Sequence, residues 1–325
     1  MIFIVVFVLF LYIAYRLYQH FFPAPIIDAR RKYVLISGCD SGFGNTLAIE
    51  LDKKGFNVFA GIYNPASEDT LIDQLSSRAT IFQLDITRRE DIDAAYDLVK
   101  KKTNTLHALV NNAGIIGTGY IDWIKTETIR QVMDINFFGH VDMTKTFLPL
   151  LITKPDSRVV NICSVAGFIS PPSTSAYCAS KYALESFSDC LRREMAVWGL
   201  RVSIIEPGIM RTPIIGKYAT SASELQAQLP LDVQERWGDE FFKIYFESSK
   251  KNILLKYAED PIKVVRALQH AVESTTPRIR YRPGWQSEFL FFPLSVVPAW
   301  LSDLFYEKTR IISVLPAGVK KQLKT

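Results

Sequence analysis

A tyrosine and a lysine stand four positions apart, Tyr177 and Lys181, within the stretch SAYCASKYALESF at 175–187. A free phenol titrates at about pH 10, too high to exchange protons readily at neutral pH. On a helix an i,i+4 neighbour lies on the same face, so the Lys181 ammonium can favour the Tyr177 phenolate. A phenol tuned in this way can act as a general acid or base. Taking the proton of an alcohol while its hydride leaves for a nicotinamide is chemistry that suits the pair. The same spacing recurs at Tyr96 and Lys100 in DAAYDLVK, where it reads as a solvated helix face. The two copies differ in company. Ser164 stands thirteen residues before Tyr177, at the end of RVVNIC, whereas Gln83 stands thirteen before Tyr96. A hydroxyl at the carboxyl end of a strand lies where α/β sheets bind ligands.

A second constellation opens the chain's regular part. The run YVLISG passes directly into GCDSGFG, with Gly38, Gly42 and Gly44 before the helical NTLAIELDKKG. Glycines there let the backbone approach a pyrophosphate, whose charge meets the helix N-terminal amides. Asp40, Ser41 and Phe43 share this cofactor loop. Dinucleotide folds commonly carry an acid at the end of the second strand for the adenosine ribose, but Gly61, Ile62 and Tyr63 occupy that place, and no arginine stands there for a 2′-phosphate. Asp40 would repel that extra phosphate, which favours NAD(H) over NADP(H).

These residues require strands that end at a common edge. YVLISG (33–38), FNVFAGI (56–62), TIFQLD (80–85), LHALVNN (106–112), SRVVNIC (157–163) and LRVSIIEP (200–207) are short and rich in Val, Ile and Leu, as strands buried on both faces are. Helical runs such as 87–102, 175–199 and 260–274 lie between them with a 3.6 period. The alternation predicts an α/β fold, a doubly wound parallel sheet of Rossmann type. The expected layout is a membrane anchor at 1–22, a basic linker at 23–32 and one domain at 33–325, with an irregular substrate-shaping insert at 209–258 and an apolar segment at 284–306. The first 22 residues are almost wholly apolar, and their flanks favour an uncleaved anchor over a cleaved signal segment. Arg16, Arg30, Arg31 and Lys32 follow the apolar run, which places the remainder on the cytosolic side.

Composition closes off other classes. The net charge of +5 is spread in mixed-sign segments with no basic block, so nucleic acid is not an expected partner. Cys39, Cys163, Cys178 and Cys190 show no paired spacing and the four histidines are scattered, so neither a disulfide framework nor a metal site is indicated.

Taken in order, SGCDSGFG, Asp85, NNAG at 111–114, Asn136 in DINFFG, Ser164, YCASK and PGIMRT at 207–212 resemble the short-chain dehydrogenase/reductase family over residues 33 to 215. The resemblance implies that Tyr177 is the acid/base, that Lys181 lowers its pKa and holds the nicotinamide ribose, that Ser164 binds the substrate oxygen, and that Asn136 holds a water in the proton path. It assigns Asp85 to the adenine, Asn112 with Ala113 and Gly114 to the cofactor channel, and Pro207, Gly208, Ile209 and Thr212 to the nicotinamide end. It also implies a homodimer built on the helix bearing Tyr177. Read from single residues, Asp85 could equally cap a turn, and Asn112 could equally satisfy backbone groups.

Phrases such as TPRIRYRPGW extend the resemblance to about residue 306, toward the branch of retinol dehydrogenases, 3α- and 17β-hydroxysteroid dehydrogenases and membrane-associated 3-hydroxybutyrate dehydrogenase, most of which use NAD(H). Trp237, Phe241, Phe242, Tyr245 and Phe246 in the insert, with Trp285, Phe289, Phe291, Phe292, Trp300 and Phe305 later, read either as core or as an apolar pocket with a membrane-facing lip. Pro293 and Pro298 argue against a span there. The expected substrate is a lipophilic alcohol dissolved in the membrane of the endoplasmic reticulum. The enzyme alternative is a small hydroxy acid held by Arg211 in the mitochondrial inner membrane, and the non-enzyme alternative is a cofactor-binding membrane protein.

Overall fold

In the computed structural model the described residues are 24–213, 222–250, 253–309 and 314–324, with Phe7, Phe10, Leu11, Ala14, Phe21 and Phe22. Seven strands, β1 Tyr33–Ile36, β2 Asn57–Ile62, β3 Thr80–Gln83, β4 Ala108–Asn111, β5 Arg158–Ile162, β6 Arg201–Ile205 and β7 Arg280–Tyr281, form one sheet in the order β3-β2-β1-β4-β5-β6-β7. Every pairing is parallel. Between them run α1 Gly42–Lys53, α2 Glu68–Ile72, α3 Arg89–Lys102, α4 Thr126–Met133, α5 Gly139–Leu151 and α6 Ser175–Glu194. After β6 come α7 Ala222–Ala227, α8 Leu231–Trp237, α9 Asp239–Lys250, α10 Ile253–Lys256 and α11 Ile262–Glu273. Beyond β7 lie α12 Phe292–Val296, α13 Ala299–Thr309 and α14 Ala317–Gln322.

Side chains alternate across each strand, and both faces are apolar. From β1, Val34 and Ile36 join Leu47, Leu51, Val264 and Leu268 beneath α1 and α11. Leu35 points the other way, to Val99, Met143, Phe147 and Leu191 on α3, α5 and α6. Burying each such side chain contributes about 1.5–3 kcal/mol, which is why these strands read as continuous apolar runs. Chain order reverses between β1 and β4, and their carboxyl ends flank the crevice where this sheet type binds ligands.

The six expected strands are present, and all but β2, which runs to Ile62 as expected, stop short where their last residues turn into the site. The seventh, only two residues long, was not anticipated. The insert expected to be irregular is helical in its described parts, from α7 to α10. Among the described residues no helix is long and apolar enough to cross a membrane; the expected anchor at 1–22 lies largely outside them. Residues just beyond it are fastened to the far end of α11: Ile27 N donates to Glu273 O at 2.8 Å, and Thr275 N donates to Pro25 O at 2.9 Å.

Two histidines are sealed inside this frame. His107 Nε2 lies 3.0 Å from Val272 O at the end of α11, whose last carbonyls also receive the buried Arg158 guanidinium. His140 Nε2 lies 2.8 Å from Ala113 O. Burial, aided by Arg158, pulls His107 down to about 4. Burial, aided by Lys181, pulls His140 down to about 3. A depressed histidine pKa gives stability that is whole above the unfolded value of about 6.5 and is lost as pH falls toward the folded value. Each ring is therefore expected to remove about 2 kcal/mol between pH 7 and pH 5. Urea unfolding at the two pH values measures this, and His140→Gln should cancel its own share of the acid loss.

Candidate active site

The glycine loop follows β1 and opens α1. Gly38 and Gly42 adopt left-handed φ values of +72° and +65°, which glycine tolerates without strain. A Cβ on Gly44 would fall 2.4 Å from both Gly38 O and the Asn112 side chain, whereas one on Gly42 would meet nothing within 4 Å. The loop is thus tight toward the sheet and open toward the crevice, and it fits a dinucleotide's phosphates. Ser41 and Phe43 begin α1 at the same turn.

Across the crevice, Asn112 donates from Nδ2 to Ser37 O and Gly38 O, each at 2.9 Å. Ser37, which sequence reasoning passed over, accepts at Oγ from the amides of Asn112 and Ala113 at 3.1 and 3.2 Å. A hydroxyl at a strand's carboxyl end, the argument applied to Ser164, could have found it. Gly114 follows, with room for no side chain: a Cβ would lie 3.2 Å from Asn136 Oδ1.

Asp40 does more than stand in the loop. Its carboxylate accepts from the amides of Tyr63 at 3.0 Å and Asn64 at 2.7 Å. The acid missing from the end of β2 is supplied there in space by the glycine loop. Asp85, after β3, spends Oδ1 on Thr87, accepting from its amide at 2.9 Å and its hydroxyl at 2.7 Å, and so caps a turn.

Asn136 sits in a π-helical turn, Asp134–Phe138, between α4 and α5; such turns often occur at functional sites. Its Oδ1 accepts from Ile115 N at 2.9 Å, and Nδ2 donates to Ile115 O at 2.9 Å and Ser180 Oγ at 3.0 Å. Both amide hydrogens are occupied, so only a lone pair on Oδ1 is left for a water. The bonds pin the β4 loop to α6.

On α6, the Ser164 hydroxyl beside Tyr177 pulls its pKa down, but burial outweighs this and pushes the phenol up to about 12. Lys181 Nζ donates to Ile162 O at 2.7 Å and lies 5.8 Å from the centre of the Tyr177 ring. With the ammonium seated on a strand carbonyl, burial is the dominant influence on the phenol and holds its pKa high. From the β6 end, Pro207 O accepts from Val165 N at 3.0 Å and Ile209 O accepts from Glu259 N at 2.9 Å. A Cβ on Gly208 would come within 3.1 Å of Gln286. Thr212 Oγ1 turns back to Met210 O at 3.5 Å.

The insert's aromatics pack on one another. Trp123 has its ring centre 4.9 Å from those of Trp237 and Phe242 and 5.0 Å from that of Tyr245, with Phe241 and Phe242 buried. The core reading of these residues holds. Asp122 latches them to the β4 loop, accepting from Arg236 Nη1 at 2.8 Å and from Trp237 Nε1 at 2.7 Å. A cavity of about 980 Å³ opens beside this cluster, walled by Tyr120, Ile121, Pro171, Tyr182 and Trp237. In the C-terminal segment Phe291 is buried with Val165 and Ile169, whereas Phe289 and Trp300 are exposed. Among the described residues no cluster of His, Cys, Asp or Glu could hold a metal ion.

The model of short chain dehydrogenases matches residues 32–222, which span the glycine loop, the Ser164–Tyr177–Lys181 group and the β6 loop. The chain belongs to the short-chain dehydrogenase family. It is an oxidoreductase of the NAD(P)-dependent alcohol dehydrogenase kind. Among curated relatives, 17-beta-hydroxysteroid dehydrogenase type 6 of Bos taurus is 39% identical over 277 residues, 84% of this chain and 86% of that protein. Retinol dehydrogenase 5 of Mus musculus is 38% identical over 85% of this chain and 88% of its own. A solved short-chain dehydrogenase from Streptomyces avermitilis superposes with a TM-score of 0.68 at 28% identity, covering 85% of this chain and 97% of that one. A Burkholderia phymatum short-chain dehydrogenase/reductase, solved in complex with NAD, shares the fold at 19% identity and a TM-score of 0.69.

In this dehydrogenase the Asp122 latch is part-exposed, its side chain 33% accessible and that of Arg236 50%, so the contact contributes about 1 kcal/mol. Asp122→Asn is expected to raise the KM for the alcohol by about fivefold and to leave the cofactor KM unchanged, as steady-state kinetics with each substrate varied in turn will show.

Proposed function

We propose that this dehydrogenase oxidises a lipophilic secondary or allylic alcohol, a retinoid or hydroxysteroid, with NAD⁺, the reverse ketone reduction being open to the same residues. The placement of the Ser164 hydroxyl beside the Tyr177 phenol, set against the glycine cradle, carries the reading. Relatives named retinol and hydroxysteroid dehydrogenases at 38–39% identity support the substrate class.

A nicotinamide cofactor bound in the cradle supplies the hydride acceptor. Ser164 holds the alcohol oxygen, and Tyr177 takes its proton. A phenol pushed up to about 12 by burial cannot do so at neutral pH without a cation beside it. Lys181 is the group to supply it, by turning its ammonium from Ile162 O toward the ribose and phenol. Asn136 keeps the β4 loop and α6 in register and offers its remaining lone pair to a water. Asn112, Ala113 and Gly114 line the cofactor's path, Asp85 closes its adenine end, and Pro207, Gly208, Ile209 and Thr212 border its nicotinamide end.

Preference for NAD⁺ over NADP⁺ follows from Asp40, whose fixed carboxylate at the end of β2 would repel a 2′-phosphate. A small hydroxy acid fits less well, because Arg211 is exposed and donates to Ala258 O at 2.6 Å, so it is no buried cation for a carboxylate. Residues 1–22 would anchor the protein in the endoplasmic reticulum membrane with the domain on the cytosolic side, and a homodimer would use the exposed Phe138 and Tyr182 beside α6.

Reduced-cofactor formation by the detergent-solubilised full chain tests this with retinol, a 3α-hydroxysteroid and 3-hydroxybutyrate. Turnover of a lipophilic alcohol with NAD⁺ is expected, falling by about a thousandfold in Tyr177→Phe. Asp40→Ser is expected to raise the NADP⁺ to NAD⁺ ratio of kcat/KM by about tenfold. Undiminished turnover in Tyr177→Phe, or turnover of 3-hydroxybutyrate alone, would overturn the reading.

A further inference from the structure

One and two turns beyond Lys181 on α6 stand Glu185 and Asp189, and Arg280 of β7 reaches both. Its Nη2 lies 3.2 Å from Glu185 Oε2 and 3.0 Å from Asp189 Oδ2, and its Nε donates to Glu206 Oε1 at 2.9 Å. Arg282 Nε lies 2.8 Å from the other Glu206 oxygen, and its guanidinium stacks 3.6 Å from the centre of the Phe292 ring. Cys163, the residue before Ser164, lies close enough to Glu185 for each to shift the other's pKa. The turn after Ser164 closes over this carboxylate so tightly that a Cβ on Gly167 would fall 2.8 Å from Glu185 Cγ. The Glu185 side chain is 12% exposed and that of Glu206 1%. Unpaired charges at such depth cost several kcal/mol each, so the two arginines are what keep the acids there.

Lys181 faces Cys163 and Ile162 O from the end of β5, His140 from α5, and Tyr177 and Glu185 on its own helix. Burial pulls the Lys181 pKa down, while Cys163 and Glu185 raise it. Cys163 is held as a neutral thiol, pushed far up by burial and then by Glu185, and His140 is neutral at working pH. Burial raises the Glu185 pKa as well, against the pull of the Arg280 guanidinium that favours its carboxylate, and Glu185 is the acid that Lys181 meets among these groups.

We propose that Glu185 is a positioning residue for the reaction: it supplies the counter-charge for the buried Lys181 ammonium, and Arg280, braced by Glu206 and Arg282, is the clamp that aims it. This rests on the role of Lys181 given above. The sign of the effect follows from the geometry. Removing the carboxylate takes away a group that favours the ammonium, so Lys181 gives up its proton at lower pH and the alkaline limb of activity moves down. Glu206, pushed up to about 7 by burial and then by Glu185, titrates on the acid side and does not set that limb.

The test compares wild type, Glu185→Gln and Glu185→Asp in the full chain. It records kcat/KM against pH, and separately the pH dependence of NADH affinity by NADH fluorescence, which needs no turnover. Glu185→Gln is expected to shift the alkaline limb of both profiles down by about one pH unit, with Glu185→Asp restoring most of the shift. A defect of packing alone would lower both at every pH and leave the limbs in place, and that result overturns the proposal. If Glu185→Gln fails to fold, Arg280→Lys, which keeps the charge and loses the fork, is expected to move the limbs the same way, and unmoved limbs there overturn it too. An inactive wild type that binds no NADH would overturn the functional reading instead, and is distinguished by the wild-type arm.

Discussion

A single side-chain amide holds the crevice together. Asn112 stands at the end of β4 and donates both hydrogens to the backbone of the glycine loop beyond β1, across the seam where strand order reverses. The crevice opens at this seam, because the chain leaves β1 and β4 toward opposite sides of it. With Ser37 Oγ tied back to the amides of Asn112 and Ala113, the two strand ends form one rigid lip. The glycines then have their meaning as clearance: the side chains absent at Gly38 and Gly44 would occupy the space that the Asn112 amide and the Ala113 backbone fill.

A buried polar line stiffens the wall behind that lip. Asn111 donates to Asn161 Oδ1 at 2.8 Å and Thr144 Oγ1 at 3.0 Å, and Asn161 donates to Ser188 Oγ at 2.7 Å. It links β4, β5, α5 and α6 in the middle of an apolar layer, where an unmade hydrogen bond is costly. Such a line permits few alternative packings of α6 on the sheet, and α6 carries Tyr177 and Lys181. The ionic cluster at Arg280 does the same from the sheet's other margin. The helix is thus held at both flanks, while its reactive face is left to the crevice.

Periodicity and loop chemistry made the sheet, the glycine turn and the Ser164–Tyr177 pair legible in the sequence, because strand ends and helix faces are local properties. The seventh strand escaped because two residues, Arg280 and Tyr281, carry no period. The insert's helices escaped for a related reason: Pro230 and Gly238 cut them into short lengths, and of the two readings open for the aromatics, Phe241, Phe242 and Tyr245 follow the core one by packing on Trp123, while Trp237 also walls the cavity. Spacing could place Lys181 on the face of Tyr177, but not foretell that a carbonyl nineteen residues earlier would claim its ammonium. Asp40 is the converse case, for a carboxylate that sequence register put in the glycine loop lies at the end of β2 by folding.

The clasp of residues 25–27 onto the end of α11 has a consequence for posture. That helix runs against the strands, and its last turn meets Arg158 and His107 at the sheet's amino edge. Residues 25–27 therefore lie at the pole opposite the crevice, about one helix length, or 18 Å, away. The anchor proposed for residues 1–22 would then work like the line on a moored boat, fixing how far the domain can drift without choosing which way the bow points. With that anchor, the crevice would meet lipid only where the domain reclines along the surface instead of standing on its mooring point.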